Sequence, residues 1–177
     1  MHLLIATAGV LPPEPVADFA EVLVGRDGRV TVMNVTQTPH EFLKQLAADE
    51  WRPFDASPDS REPETLSAAE RYVEERGSKM AAPVVAALQA RNIEPRTLFV
   101  EADEVAEGII GTAEALEADV IVLGTTQRLF DESAWTSISM KVASASKAPV
   151  LLIPQPDRQT RGTGRAGSAG RPLIERT

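Results

Sequence analysis

The chain has 177 residues, 43% hydrophobic and 25% charged, with no cysteine and a formal net charge of −8. That is enough for one domain with a real core. It excludes disulfides, thiolate chemistry and cysteine-ligated zinc, and it fits a reducing compartment. No apolar run reaches the ~20 residues a membrane span requires. The opening Met1-His2-Leu3-Leu4-Ile5-Ala6 enters a strand pattern without the basic start of a signal peptide, so the cytoplasm is the expected location.

The charge is unevenly spread. Residues 155–177 carry Arg158, Arg161, Arg165, Arg171 and Arg176 against Asp157 and Glu175, a net +3, while residues 1–154 hold 13 basic and 24 acidic residues, a net −11. An acidic body repels nucleic acid and anionic membranes, and neither is expected as a partner.

In chain order, His2–Thr7 is an apolar run of strand length. Pro15–Leu23 has apolar residues at 16, 19, 20 and 23, a short helix with Pro15 in its first turn. Asp27-Gly28 makes a turn, and Val30–Val35 alternates as a second strand. Thr38–Glu50 reads as a weak helix, and Trp51–Glu64, with Pro53, Pro58 and Pro63 among charges, reads as loop. Ser67-Ala68-Ala69-Glu70 is a capping box opening the longest helix, whose stripe is Val73, Gly77, Met80, Val84 and Leu88. Arg96–Glu101 is a third strand, Asp103 an N-cap, and Val105, Ile109, Ala113 and Leu116 the apolar face of the next helix. Residues 119–123 and 150–153 are the fourth and fifth strands. Strands alternating with helices, the last two strands nearly all apolar, call for an α/β, doubly wound parallel sheet with helices on both faces. Residues 155–177, rich in Gly, Arg and Ser without periodicity, are expected to be a flexible tail beside a domain of residues 1–154.

The stretch Ala118–Pro154 carries most of the functional information. A buried strand reaches Gly124, a polar loop follows, Thr136-Ser137-Ile138-Ser139 opens a helix, and Ala148-Pro149-Val150-Leu151-Leu152-Ile153-Pro154 forms another strand. A strand, a small-residue loop and a helix N-terminus together present backbone N–H groups to an anion. The order and spacing resemble the C-terminal half of the universal stress protein family. Its nucleotide-binding members have Gly, two residues, Gly, nine residues, then Gly-Ser or Gly-Thr. Here Gly124 matches, Gln127 stands at the second glycine, Thr136 at the third but one residue early, and Ser137 at the hydroxyl position.

The resemblance covers residues 2–154 and implies strand order 3-2-1-4-5, with a crevice at the carboxyl ends of strands 1 and 4. That sets Thr7, Ala8 and Gly9 opposite Gly124, Thr125 and Thr126. It also implies that an Asp at the end of the first strand contacts adenine, and Ala8 stands there instead. A methyl group cannot accept the hydrogen bond of an exocyclic amine, a loss of about 1–3 kcal/mol. Gln127 brings a long side chain to the place of a phosphate, where glycine would let N–H groups close in. Arg128 is read as a solvated loop cation, and Ser137 is explained as a simple N-cap.

Other motifs carry little chemistry. Gly162-Thr163-Gly164-Arg165-Ala166-Gly167 matches the dinucleotide fingerprint formally but lacks the strand and helix that the mechanism requires. His2 and His40, the latter beside Glu41, have no second ligand at metal spacing. There is no phosphate-binding loop or nucleophile elbow, and no enzyme is expected. Trp135, Trp51 and Phe54 are read as covers for local apolar surface, with a lid over the crevice as the alternative.

The expectation is a small cytoplasmic stress-associated regulatory protein acting by self-association and partner contacts, with no cofactor and no bound ATP. The alternative is an adenine-nucleotide (ATP or AMP) binding module. The expected self-association is a homodimer on the last strand. Val150, Leu151, Leu152 and Ile153 form an uncharged edge with prolines only at its ends, and the resemblance implies the same pairing. The other available cover is the tail, where Pro172-Leu173-Ile174 offers apolar anchors.

Overall fold

The computed structural model describes residues 1–25, 28–37, 61–125 and 137–154, with the side chains of 61–69 excepted. Among these lie β1 (His2–Ala6), α1 (Pro13–Val24), β2 (Arg29–Thr36), α2 (Arg61–Gln89), β3 (Arg96–Glu101), α3 (Val105–Ala115), β4 (Val120–Thr125), α4 (Ile138–Ala145) and β5 (Val150–Pro154). The strands form one parallel sheet in the order β3-β2-β1-β4-β5. The doubly wound arrangement expected from the sequence is what the chain adopts.

Its two faces are separate cores. Leu3 and Ile5 of β1, with Val30, Val32 and Val122, pack under Val16, Ala17 and Ala20 of α1 and Ala81, Val84 and Leu88 of α2. Leu4, Met33, Ile121 and Leu123 pack on the other face under Ala106, Ile109 and Ala113 of α3 and Val142 of α4. β1 is central and covered on both sides, so Leu3, Leu4 and Ile5 are 0% exposed. Full burial of such a side chain is worth about 1.5–3 kcal/mol, which explains why this strand reads as one apolar run.

The helices refine the sequence reading. α1 starts at Pro13, so Pro15 still falls in the first turn, where a missing N–H costs nothing. α2 starts at Arg61 rather than at the Ser67 capping box, so residues 61–64 are helical, not loop. Pro63 misled because in the first turn a proline has no intrahelical hydrogen bond to remove. The stripe Val73, Gly77, Met80, Val84 and Leu88 does face inward. Gly77 lies under Phe99 so closely that an added Cβ would sit 2.4 Å from its Cδ1. At the far end of α2, Arg91 donates to Glu14 at 2.8 Å and Asp18 at 2.6 Å, tying α2 to α1. The N-cap of α3 is Glu104, not Asp103, and no side chain caps it. The Asp103 carbonyl instead accepts a bond from Gln37. The turn at Asp27 and the weak helix at 38–50 lie outside the described residues.

Candidate functional site

The last register pair between the two central strands that diverge is Ala6 with Leu123. Beyond it β1 and β4 feed helices on opposite faces, which opens a crevice at their carboxyl ends. The β1–α1 loop turns at once. The Thr7 N–H donates to the Met33 carbonyl at 2.9 Å, and the Thr7 hydroxyl accepts from the Gly9 N–H at 3.0 Å. Gly9 has φ +79°, and an added Cβ would lie 2.7 Å from Met80 Sδ, so glycine suits the turn twice over. The loop then lays Val10 and Leu11 beside Gly124, where an added Cβ would meet them at 3.6 and 3.4 Å.

The opposite wall is the start of α4. The Ser137 hydroxyl accepts from the Met140 N–H at 3.3 Å, the N-cap expected from the sequence. Ser139 donates to the Gly124 carbonyl at 2.7 Å and pins the helix start to the strand end. Between these walls is a cavity of about 200 Å³, whose lining includes Ala6, Ala8, Val35, Ile109, Leu123 and Thr125.

The structure thus brings Thr7, Ala8, Gly124, Thr125 and Ser137 to one cavity, with Gly9 shaping its loop. Thr126, Gln127, Arg128, Trp135 and Thr136 lie outside the described residues, as do Trp51, Phe54, His40 and Glu41. Val150, Leu151, Leu152 and Ile153 lie on β5, the sheet's edge beyond β4. The described cavity lining contains no acidic, basic or histidine side chain. The hydroxyls of Thr7, Ser137 and Ser139 are engaged in the bonds above.

Sequence reasoning missed Val10, Ser139 and a buried polar pair behind the crevice. Asn34 donates to the Thr7 carbonyl at 2.7 Å and accepts from Thr36 at 2.8 Å, and both residues are buried. The signal was present: a polar residue inside a strand buried on both faces needs partners. The ionisable groups with resolved shifts lie away from the crevice. Lys79 lowers Glu75 by a hydrogen bond, Glu14 then Asp18 raise Arg91, and Glu114 raises Lys147. Among the described residues no group of His, Asp or Glu side chains could hold a metal ion, and no helix is long and apolar enough to cross a membrane.

Comparison with known proteins agrees with this geometry. Residues 1–154 match the model of the universal stress protein family. No curated protein matches. Among solved structures, the hypothetical protein MJ0577 is 16% identical, with a TM-score of 0.59 over 88% of this chain and 96% of that one. A universal stress protein family protein from Arabidopsis thaliana, solved with AMP bound, is 10% identical, with a TM-score of 0.51 over 92% and 96% of the two chains. These structures share the fold, and the family match over residues 1–154 settles membership: the chain belongs to the universal stress protein family.

Proposed function

We propose that this chain is a cytoplasmic regulatory member of its family that acts by self-association and partner contacts, without ATP in its crevice and without catalysis. The observation that carries this reading is the crevice wall. A methyl group stands at Ala8, the described lining is uncharged, and the cavity is about 200 Å³. Sites for small molecules usually measure about 300–1,000 Å³ and place a few polar groups to orient the ligand. Self-association is supported by β5. Its Leu151 packs with the α1/α2 core, Val150 and Leu152 with the α3/α4 core, and all three stay partly exposed. Two such edges related by a two-fold axis can pair antiparallel and cover each other.

Two measurements on the purified protein test this. Melting at millimolar ATP should show no shift, since stabilisation by a ligand requires a dissociation constant below its concentration. Sedimentation at tens of micromolar should show a dimer, and Leu151→Lys or Leu152→Lys a folded monomer. A wild-type monomer, or an ATP-dependent rise in melting temperature, would overturn the reading.

The second reading is an adenine-nucleotide-binding module, favoured by two observations. The Arabidopsis relative holds AMP, and packing does not explain the glycine at 124, because an added Cβ there would meet Leu11 at an ordinary 3.4 Å. On this reading Ala8→Asp with Gln127→Gly and Thr136→Gly should raise the ATP affinity measured by calorimetry above that of the wild type. A folded triple variant that binds nothing would count against this second reading.

A further inference from the structure

The other edge of the sheet has a different character. A groove of about 870 Å³ runs between β3 and α2, with Ala81, Val85, Ala86 and Phe99 along its apolar floor. It continues past Thr97 and Phe99 into a compartment of about 460 Å³ toward Glu101. The rim carries Glu70, Glu74, Glu75 and Glu101 against Arg71 and Lys79, and Lys79 is already engaged with Glu75 at 2.7 Å. An apolar floor under an acidic rim, beside a strand whose outer edge pairs with no other strand among the described residues, is complementary to an extended segment with arginines and one or two aliphatic anchors.

We propose that this groove is the docking site of the chain's own C-terminal segment, residues 155–177, laid along β3 with its arginines on Glu70 and Glu74 and Leu173-Ile174 on the Phe99 floor. The charge fits, with the segment at +3 in a chain whose remainder is −11. The other long segment outside the described residues, 38–60, has five acidic and two basic residues and is repelled by the same rim. The reach fits as well. Strands are parallel, so Pro154 and Glu101 lie at the same end of the sheet, with three strands between theirs. Four inter-strand steps of ~4.8 Å make about 19 Å. At ~3.3 Å per extended residue, the segment spans that distance by about its sixth residue, before Arg161. The β5 edge is the poorer seat, since Val150–Ile153 offers arginine no carboxylate. This inference is independent of what the crevice binds.

The chain has no cysteine, so Ser168→Cys in the full-length protein gives one site for a nitroxide spin label. At low salt, amide signals of Thr97 and Phe99 and of the outer face of α2, Ser78 and Ala82, should broaden selectively. Glu70→Arg with Glu74→Arg, both at exposed positions, should abolish the broadening, and Arg165→Glu with Arg171→Glu on that background should restore it. Molar salt, which shortens screening to ~3 Å, should also abolish it. Broadening at Val150–Ile153 instead, or no selective broadening, would overturn the assignment. So would equal broadening when labelled chains are mixed with isotope-enriched unlabelled ones, because the contact would then be between copies.

Discussion

The two ends of the sheet are built from the same strands and differ in what lies between them. At the amino end, His2 is 5% exposed, its Nδ1 lies 3.0 Å from the Leu116 carbonyl and its Nε2 2.9 Å from the Thr31 hydroxyl. A carbonyl only accepts, so Nδ1 carries a proton, and in the neutral ring Nε2 accepts from Thr31. The His2 N–H also donates to Asp119, whose own N–H returns a bond to the His2 carbonyl at 2.9 Å. Strands β1, β2 and β4 and the end of α3 are locked together there. At the carboxyl end, the strands part around a cavity of about 200 Å³ with hydroxyls on an apolar wall. Both ends engage their described polar groups, but only the carboxyl end keeps a space, and its described walls carry no charge to hold a phosphate.

The largest loss should come from breaking the locked end. His2→Leu strands the Thr31 hydroxyl and the Leu116 carbonyl, each at about 1–3 kcal/mol. At ~2–4 °C per kcal/mol for a chain of this size, calorimetry should show a fall of several degrees. Asn34→Leu at the carboxyl end leaves the Thr7 carbonyl and the Thr36 hydroxyl without the partners seen here. It should cost about 1–3 kcal/mol, less than His2→Leu because the nearby crevice admits water. Equal losses at the two ends would erase the contrast. Ser137→Ala removes the N-cap of α4 and should cost about 1 kcal/mol. If Ser137 serves only the helix, melting with and without ATP should fall alike. The smallest effect belongs to an exposed pair remote from both ends. Lys79 lowers the pKa of Glu75, so its contribution is present above the unfolded carboxylate pKa and lost as pH falls through the folded one. Glu75→Gln should therefore slightly flatten the acid side of the stability curve and leave stability in strong acid unchanged.

What the sequence disclosed was set by how local each signal is. β3 at Arg96–Glu101 is read to the residue, because alternation and bounding turns are local. The start of α2 is not, since Pro63 terminates or opens a helix depending on its position. His2 reads as a strand start, and its role emerges only once the register sets β2 beside it and α3 across it. The crevice was half legible. Thr7, Ala8, Gly124, Thr125 and Ser137 follow from the strand ends, but Val10 and Ser139 reach it through turns whose paths no periodicity records.

The most direct test is to denature protein purified without added nucleotide and chromatograph the supernatant. An uncharged crevice with alanine at position 8 should release no adenine nucleotide, whereas ATP or AMP approaching one equivalent per chain would contradict the proposed function and establish the nucleotide-binding reading.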